Sequence, residues 1–326
     1  MESYLSLPGN FSTMSIHTIL GAGGAISGLL ARELTGLQLP VRLVSRHPTA
    51  LPGTTAFAAD LTDREQTLAA IQGSSVVYLC VGLPYNYSIW RQQWPLIIDN
   101  TIEACKKTQA KLLFFDNVYM YGKTEGPMTE ETPYDPSSRK GDLRARIATQ
   151  LMSEVRKGNI MATIARAADF YGPGASKTSI PGLLIFQRLV KDQRAQWLVN
   201  ARATHSFTYT PDAAKALCLL SQDENSWNQV WHLPTAPAPL TGAEFVGQAA
   251  AALGKADSLT VLPKWMIRLG GIFDRPTAES YEMLYQYEFD YLFDSSKFEK
   301  AYQFQPTPYE EGIQTTAGTY KNNTGG

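Results

Sequence analysis

The chain has 326 residues, of which 44% are hydrophobic, and it carries 29 Lys plus Arg against 30 Asp plus Glu. A chain of this length can bury a large core in one large or two closely joined domains, and its balanced charge creates no bulk field for nucleic acid or anionic lipid. No apolar run approaches the roughly 20 residues that a bilayer span needs, and residues 1–14 lack the basic and apolar regions of a secretory leader.

The cysteines fit a reducing compartment. Cys80, Cys105 and Cys218 show no close pairing, and two of them lie in apolar runs as small buried side chains would. We therefore expect a cytoplasmic protein whose partner is a small-molecule substrate, with no nucleic-acid or membrane partner.

Strand-like and helical stretches alternate along the first half of the chain. Strands are predicted at 15–20, 41–45, 55–59, 75–81, 111–116 and 162–166, and helices at 27–34, 64–71, 89–107 and 144–156. This alternation predicts an α/β fold with a doubly wound parallel Rossmann sheet. Beyond about residue 170, Gly and Pro clusters and more aromatic residues indicate a smaller C-terminal substrate-binding lobe. We expect a dinucleotide domain over 14–170, with returning strands around 196–233, and a lobe over 171–320 that is interleaved with the sheet.

Glycines separate the first predicted strand from the first predicted helix. A turn of this kind brings backbone N–H groups and the positive end of a helix dipole close to a pyrophosphate. A tight turn without any ligand would also use glycine. The dinucleotide interpretation assigns cofactor contacts to Gly21, Gly23, Gly24, Ala25 and Ile26.

The end of the second predicted strand indicates which dinucleotide is bound. An acidic residue there would accept a hydrogen bond from a free ribose 2′-OH, but the chain has Ser45 and Arg46. A hydroxyl and a guanidinium instead suit a 2′-phosphate. We predict NADP(H), with NAD(H) as the weaker alternative and a solvated Arg46 as the interpretation without a ligand.

Motifs along nearly the whole chain resemble the extended short-chain dehydrogenase/reductase superfamily, in its NAD-dependent epimerase/dehydratase branch. The resemblance lies in segments 21–27, 60–63, 80–82, 117–122, 166–174, 206–212 and 304–313. It implies that Asp60 and Leu61 lie at the adenine. It also implies that Val81 and Gly82 pass the cofactor, and that Asn100, on the helix that follows, contacts the cofactor.

The residues that carry the chemistry of this superfamily are replaced. In the superfamily a Tyr-x-x-x-Lys pair transfers the proton and a Ser or Thr polarises the substrate oxygen. A phenol otherwise titrates near 10 and is a poor base at neutral pH. Counted from Gly122, the Tyr position holds Lys140, the Lys position holds Arg144 and the Ser position holds Asn117.

Three accounts of this replacement stay open. In the first, Lys140 donates the proton and contacts the cofactor, Asn117 donates to the substrate oxygen, and Arg144 holds the ribose or a substrate anion. Tyr85, in the loop after the fourth strand, can supply the missing phenol. In the second, the chain binds NADP(H) without hydride chemistry. In the third, Lys140, Arg144 and Arg146 form a solvated basic face.

The resemblance also implies substrate contacts and a dimer. The substrate contacts fall on Tyr119, Tyr121, Asp169, Phe170 and Tyr171. A homodimer would pair the helices at 89–107 and 144–156. His205 and His232 have no second ligand at metal-binding spacing, so we expect packed histidines and no metal.

Together these features predict an atypical NADP-dependent oxidoreductase that transfers hydride to or from a small carbonyl or alcohol. The alternatives are an enzyme like the nucleotide-sugar epimerases and dehydratases, or a non-catalytic NADP(H)-binding sensor or assembly subunit.

Overall fold

The computed structural model describes residues 16–322. Residues 1–14 and the first residue of the predicted strand 15–20 lie outside this range.

The strands and helices alternate as predicted in the first half of the chain. The strands are β1 Ile16–Leu20, β2 Val41–Ser45, β3 Thr54–Ala58, β4 Ser74–Leu79, β5 Lys111–Asp116, β6 Ala162–Arg166, β7 Asp169–Tyr171, β8 Ala195–Leu198, β9 Thr204–His205, β10 Phe207–Tyr209, β11 Val230–His232, β12 Leu240–Thr241 and β13 Leu259–Leu262. The α-helices are α1 Ser27–Gly36, α2 Arg64–Ile71, α3 Tyr87–Thr108, α4 Arg139–Arg156, α5 Gln187–Val190, α6 Thr210–Gln222, α7 Gly242–Leu253, α8 Lys264–Gly270, α9 Arg275–Ser280, α10 Ser296–Tyr302 and α11 Tyr309–Asn322. Short helical turns of other types span Tyr119–Tyr121, Pro181–Phe186, Glu224–Ser226 and Tyr281–Tyr287.

The central sheet has seven strands in the order β11-β6-β5-β4-β1-β2-β3, and all of them are parallel. The prediction of a doubly wound parallel sheet is confirmed. From β1 the chain builds outward through β2 and β3, and it then crosses to β4 on the other side of β1. The carboxyl ends of β1 and β4 therefore meet at the point where the strand order reverses, which is where open α/β sheets bind ligands.

Helices cover both faces of this sheet. Helices α1 and α6 pack together on one face, and α2, α3 and α4 pack on the other. Strand residues such as Ile19, Val77 and Leu112 are fully buried, because a parallel sheet covered on both faces needs continuous apolar runs.

Helix α4 differs from its prediction at its first turn. It was expected to begin at residue 144, but it begins at Arg139, where the Ser138 hydroxyl accepts a hydrogen bond from the Gly141 N–H. Lys140 and Arg144 lie on the buried face of this first stretch. Charged residues at buried positions interrupt the apolar period, which explains why the sequence pattern did not reveal the start of the helix.

Beyond about residue 170 most elements are short and less regular. Strands β8 and β13 pair in a small parallel sheet of their own, and α7 packs against α11. Of the strands expected to return between 196 and 233, β11 joins the central sheet and β8 does not. Among residues 16–322, no helix is long and apolar enough to cross a bilayer.

The three cysteines are free and buried. Burial raises the pKa of Cys80 to about 12 and that of Cys218 to about 11. These thiols are therefore packed side chains and not reactive groups.

The glycine turn offers a test of how tightly it packs on the sheet. Gly21 and Gly23 have φ angles of +101° and +89°, so alanine at either position meets a backbone penalty of about 1–2 kcal/mol. An added Cβ at Gly21 would lie 2.7 Å from the Cys80 carbonyl oxygen, whereas at Gly23 it would meet nothing within 4 Å. In equilibrium urea unfolding, we expect Gly21→Ala to lower the free energy of unfolding by about 1–3 kcal/mol more than Gly23→Ala does. Equal losses would show that the turn relaxes away from β4.

Candidate functional site

The glycine turn leaves room for a phosphate. The Gly21 and Ala22 N–H groups donate to the Val44 carbonyl, which ties the turn to β2. Helix α1 follows at Ser27, and no side chain caps its first turn. Because an uncapped helix start leaves N–H groups for an anion and no Cβ projects from Gly23, the turn fits a dinucleotide pyrophosphate.

Arg46 and Asp60 face each other at the ends of β2 and β3. Arg46 is exposed, and Ser45 is partly buried. The Asp60 carboxylate accepts two hydrogen bonds from Thr62. These bonds lower the pKa of Asp60, and the nearby Arg46 guanidinium lowers it further. A cation at this corner has the chemistry to bind a ribose phosphate.

Asn100, on α3, contacts the loop that carries Asp60. Its side-chain amide donates a hydrogen bond of 3.1 Å to the carbonyl of Leu61, in the loop between β3 and α2. Sequence reasoning placed Asn100 at the cofactor, whereas its amide is used on the loop that would carry the adenine. Val81 and Gly82 follow β4 beside the turn, where Val81 is partly buried and Gly82 is exposed.

Lys140 is fully buried and is surrounded by hydrogen-bond acceptors. Its ammonium donates to the Glu279 carbonyl at 2.9 Å, the Glu279 carboxylate at 2.7 Å and the Glu282 carboxylate at 2.8 Å. It also lies 4.7 Å from the centre of the Tyr85 ring. Burial alone would raise the pKa of both carboxyls, but the hydrogen bonds from Lys140 outweigh it and lower each pKa. All three ammonium protons are therefore occupied.

Arg144 is held by a different carboxylate, one turn further along α4. Its guanidinium donates through Nε at 2.8 Å and through Nη2 to the same oxygen of Asp116, at the end of β5. It also packs over the rings of Trp94 and Phe114. The account of a solvated basic face is therefore wrong for Lys140 and Arg144, because both side chains are buried and each is paired with a carboxylate. It holds only for Arg146, whose side chain is 75% exposed.

Asn117 begins the short turn that carries Tyr119. Its backbone N–H donates to Asp116, and its side-chain oxygen accepts from the Tyr119 N–H at 3.1 Å. The Asn117 side chain thereby sets the direction of the turn. Tyr119 is partly buried and stacks on Trp90.

A group of tyrosines that we call the tyrosine cluster surrounds Asp169 at the carboxyl edge of the sheet. Tyr287 donates a 2.8 Å hydrogen bond to Asp169 Oδ2, and His205 Nε2 lies 3.2 Å from the same oxygen. Burial raises the pKa of each tyrosine in the cluster, and the Asp169 carboxylate raises it further; the members are Tyr85, Tyr119, Tyr285, Tyr287 and Tyr291.

The structure brings together only part of the predicted substrate set. Tyr119, Asp169 and Phe170 are partly exposed at this edge. Tyr121 and Tyr171 are each only 1% exposed and belong to the core. The Tyr121 hydroxyl contacts Arg166 and His232, and Tyr171 stacks on Tyr309.

Sequence reasoning missed the groups that the lobe contributes. Glu279 and Glu282 hold Lys140, and Tyr285, Tyr287 and Tyr291 complete the cluster around Asp169. The aromatic residues in 281–293 are visible in the sequence, but their spacing mixes helical and alternating periods, which favours core packing over a substrate wall. A signal for the carboxylates is that Glu279 and Glu282 stand three residues apart, a spacing that puts both on one helical face.

The two histidines singled out from the sequence are packed side chains. His232 hydrogen-bonds to Tyr121 and to the Asp294 carbonyl, and burial lowers its pKa to about 3, with help from the Arg166 charge. In the described part of the chain, no three His, Cys, Asp or Glu side chains come together as a metal site.

Comparisons with known proteins agree with this architecture. The family model described as the NAD dependent epimerase/dehydratase family matches residues 17–232, more than half of the chain. The uncharacterized protein y4nL of Sinorhizobium fredii is 28% identical over 136 residues, which are 41% of this chain and 37% of that protein.

Two solved structures illustrate the fold. The UDP-glucose 4-epimerase of Thermus thermophilus, in complex with NAD, has a TM-score of 0.77 at 18% identity and covers 94% of this chain and 99% of its own. The dTDP-glucose 4,6-dehydratase DesIV of Streptomyces venezuelae, with NAD and TYD bound, has a TM-score of 0.78 at 16% identity and covers 95% and 98%. At these identities the likeness establishes the fold alone.

The Arg144–Asp116 pair predicts a large stability effect at one position of α4 and a small one at its neighbour. Arg144→Met leaves the buried Asp116 carboxylate without its main partner, and we expect a loss of about 3–5 kcal/mol in the free energy of unfolding. Arg146→Met on the same helix removes only an exposed i,i+4 ion pair with Asp142 and should change little.

Urea unfolding of both variants measures this difference. If Arg144→Met kept its stability and lost dinucleotide affinity instead, Arg144 would be a cofactor ligand and its contact with Asp116 incidental.

Proposed function

The chain belongs to the NAD dependent epimerase/dehydratase family, and we propose that it is an NADP(H)-dependent oxidoreductase acting on a small carbonyl or alcohol. The observation that carries the cofactor choice is the exposed Arg46 at the end of β2, where NAD-selective sites have an acidic residue. The glycine turn would hold the pyrophosphate, and Asp60 and Leu61 would lie at the adenine. NADPH bound there would supply the hydride.

For the proton we propose the tyrosines and not Lys140. Each N–H of the Lys140 ammonium already donates to Glu279 or Glu282, so a proton transfer from it would leave these carboxylates without their partner. Tyr85 and Tyr119 lie close together. Tyr85 is the phenol that the sequence offers in place of the missing tyrosine, and the Lys140 ammonium lies over its ring, 4.7 Å from the ring centre.

The direction of the pKa shifts favours reduction. Burial raises the pKa of Tyr85 and Tyr119, so both phenols are protonated at neutral pH. A phenol that keeps its proton is not available as a base, but it can donate that proton to the alkoxide oxygen that hydride transfer to a carbonyl would form. In this proposal Asn117 orients the turn of Tyr119, and Arg144 acts only through Asp116.

A non-catalytic NADP(H)-binding protein is the second candidate, and one observation favours it. Lys140 aligns with the catalytic tyrosine of the family. Its side chain is buried and forms ion pairs with Glu279 and Glu282. Cofactor binding without turnover of any carbonyl compound would support this candidate.

The homodimer stays a prediction. Helices α3 and α4 pack side by side and are joined by an ion pair between Lys106 and Glu154 and by a contact between Asp99 and Gln150. This arrangement gives the two helices one common outer face, as the proposed four-helix interface requires.

Cofactor selectivity is tested at Arg46. By calorimetry we expect wild type to bind NADPH more tightly than NADH. We expect Arg46→Ala to weaken NADPH binding about 10- to 100-fold, because a charge-assisted contact is lost, and to leave the affinity for NADH unchanged. Arg32→Ala, which removes an exposed charge from α1, is the matched control. Equal affinity of wild type for both cofactors would refute the NADP(H) assignment.

The proton donor is tested by removing single hydroxyls. Tyr119→Phe and Tyr85→Phe should lower kcat for NADPH oxidation by a carbonyl compound about 100-fold or more while NADPH affinity stays the same. Tyr281→Phe, at an exposed position, is the control. Full turnover in both variants together with none in Lys140→Met would return the role to Lys140.

A further inference from the structure

Resting on the proposed function, we infer that the substrate is a compact aromatic compound without phosphate or other negative charge, and that Asp169 is the residue that excludes anions. The site is the tyrosine cluster at the carboxyl ends of β4, β5 and β6. This assignment separates the chain from relatives of its fold whose structures contain UDP-glucose or UDP-glucuronic acid.

The first step is the position of the Asp169 carboxylate. Its side chain is 19% exposed, so it reaches the cleft and not only the core. Both polar contacts of this carboxylate, from Tyr287 and His205, are to Oδ2. Neither contact uses Oδ1, which leaves one carboxylate oxygen for a ligand.

The second step is that the cations in contact with the acidic groups of this edge are already paired. Lys140 is held by Glu279 and Glu282, and Arg144 by Asp116. Arg139, at the rim, pairs with Glu282 as well. A diphosphate placed here would face the Asp169, Glu279 and Glu282 carboxylates without an unpaired cation among these groups, and like charges repel strongly where water is scarce.

The third step is the chemistry of the walls. Tyr85, Tyr119 and Tyr285 are partly exposed and present ring faces and hydroxyl edges at this edge, whereas Tyr287 and Tyr291 are buried behind them. The His205 ring stacks on Tyr287 with 4.7 Å between ring centres. Aromatic faces around one carboxylate suit a flat, apolar ligand that is neutral or positively charged.

The experiment uses ligands that share one ring and differ in charge. NADPH-saturated protein is titrated with benzyl alcohol, benzamidine and benzoate by ligand-observed NMR, and with UDP-glucose by calorimetry. We expect the neutral and cationic rings to bind, benzoate to bind at least about tenfold more weakly, and UDP-glucose not to bind at millimolar concentration.

The variant Asp169→Asn keeps an oxygen that can accept from Tyr287 and removes the charge. In this variant the ratio of benzyl alcohol affinity to benzoate affinity should fall about tenfold, and benzamidine should bind more weakly than it does to wild type. The control variant Glu65→Gln, on the exposed first turn of α2, removes one negative charge elsewhere. It should leave the order of the ligand affinities unchanged. Comparing ligands within one variant cancels any general loss of stability.

Three results would overturn the inference: benzoate binding as tightly as benzyl alcohol in wild type, micromolar binding of UDP-glucose, or no binding of either the neutral or the cationic ring. The proposed function fails separately. If NADPH does not bind, the same ligand series on the cofactor-free protein still decides the charge preference of the cleft.

Discussion

The buried ammonium of Lys140 is the constraint on which the site depends. An ion without water must find partners inside the protein, and removing one partner of a buried pair is costly. The acceptors come from Glu279 and Glu282, at the end of α9 and in the turn that follows. The first turn of α4 is thereby fastened to the C-terminal lobe, and Tyr85 lies against the same charge. Together with the hydrogen bonds from Arg139 to Glu282, this interaction holds the lobe against the carboxyl edge of the sheet.

A second buried pair orders the other side of that edge. Asp116 ends β5, and the same carboxylate oxygen accepts from Arg144 and from the Asn117 N–H. The turn that begins at Asn117 then carries Tyr119 toward Tyr85. Lys140 and Arg144, which the sequence aligns with the family's tyrosine and lysine, are both cations, and each is paired with carboxylates of its own. In the proposed function, proton transfer at this edge therefore falls to the neighbouring phenols.

The sequence predicts the central sheet well because the signal is local. Runs such as 112–115 are apolar throughout, as a strand covered on both faces requires. The site is less predictable, because its partners are distant in the chain. Nothing around Lys140 reveals Glu279 and Glu282, so a solvated face was a reasonable alternative. Tyr121 and Tyr171 match the family's motifs, yet tertiary packing buries both, a context that local pattern cannot show.

The tyrosine cluster offers other phenols for proton transfer in place of the missing Tyr-x-x-x-Lys pair. A tyrosine beside a free lysine works as a base because the ammonium lowers its pKa. Here the ammonium is neutralised by two carboxylates, and burial together with Asp169 raises the pKa of the phenols. Such phenols hold their protons across the physiological range. Burial is the larger cause of these raised pKa values and the Asp169 carboxylate adds to it. The Asp169 charge that helps to keep the phenols protonated also disfavours an anionic substrate beside it.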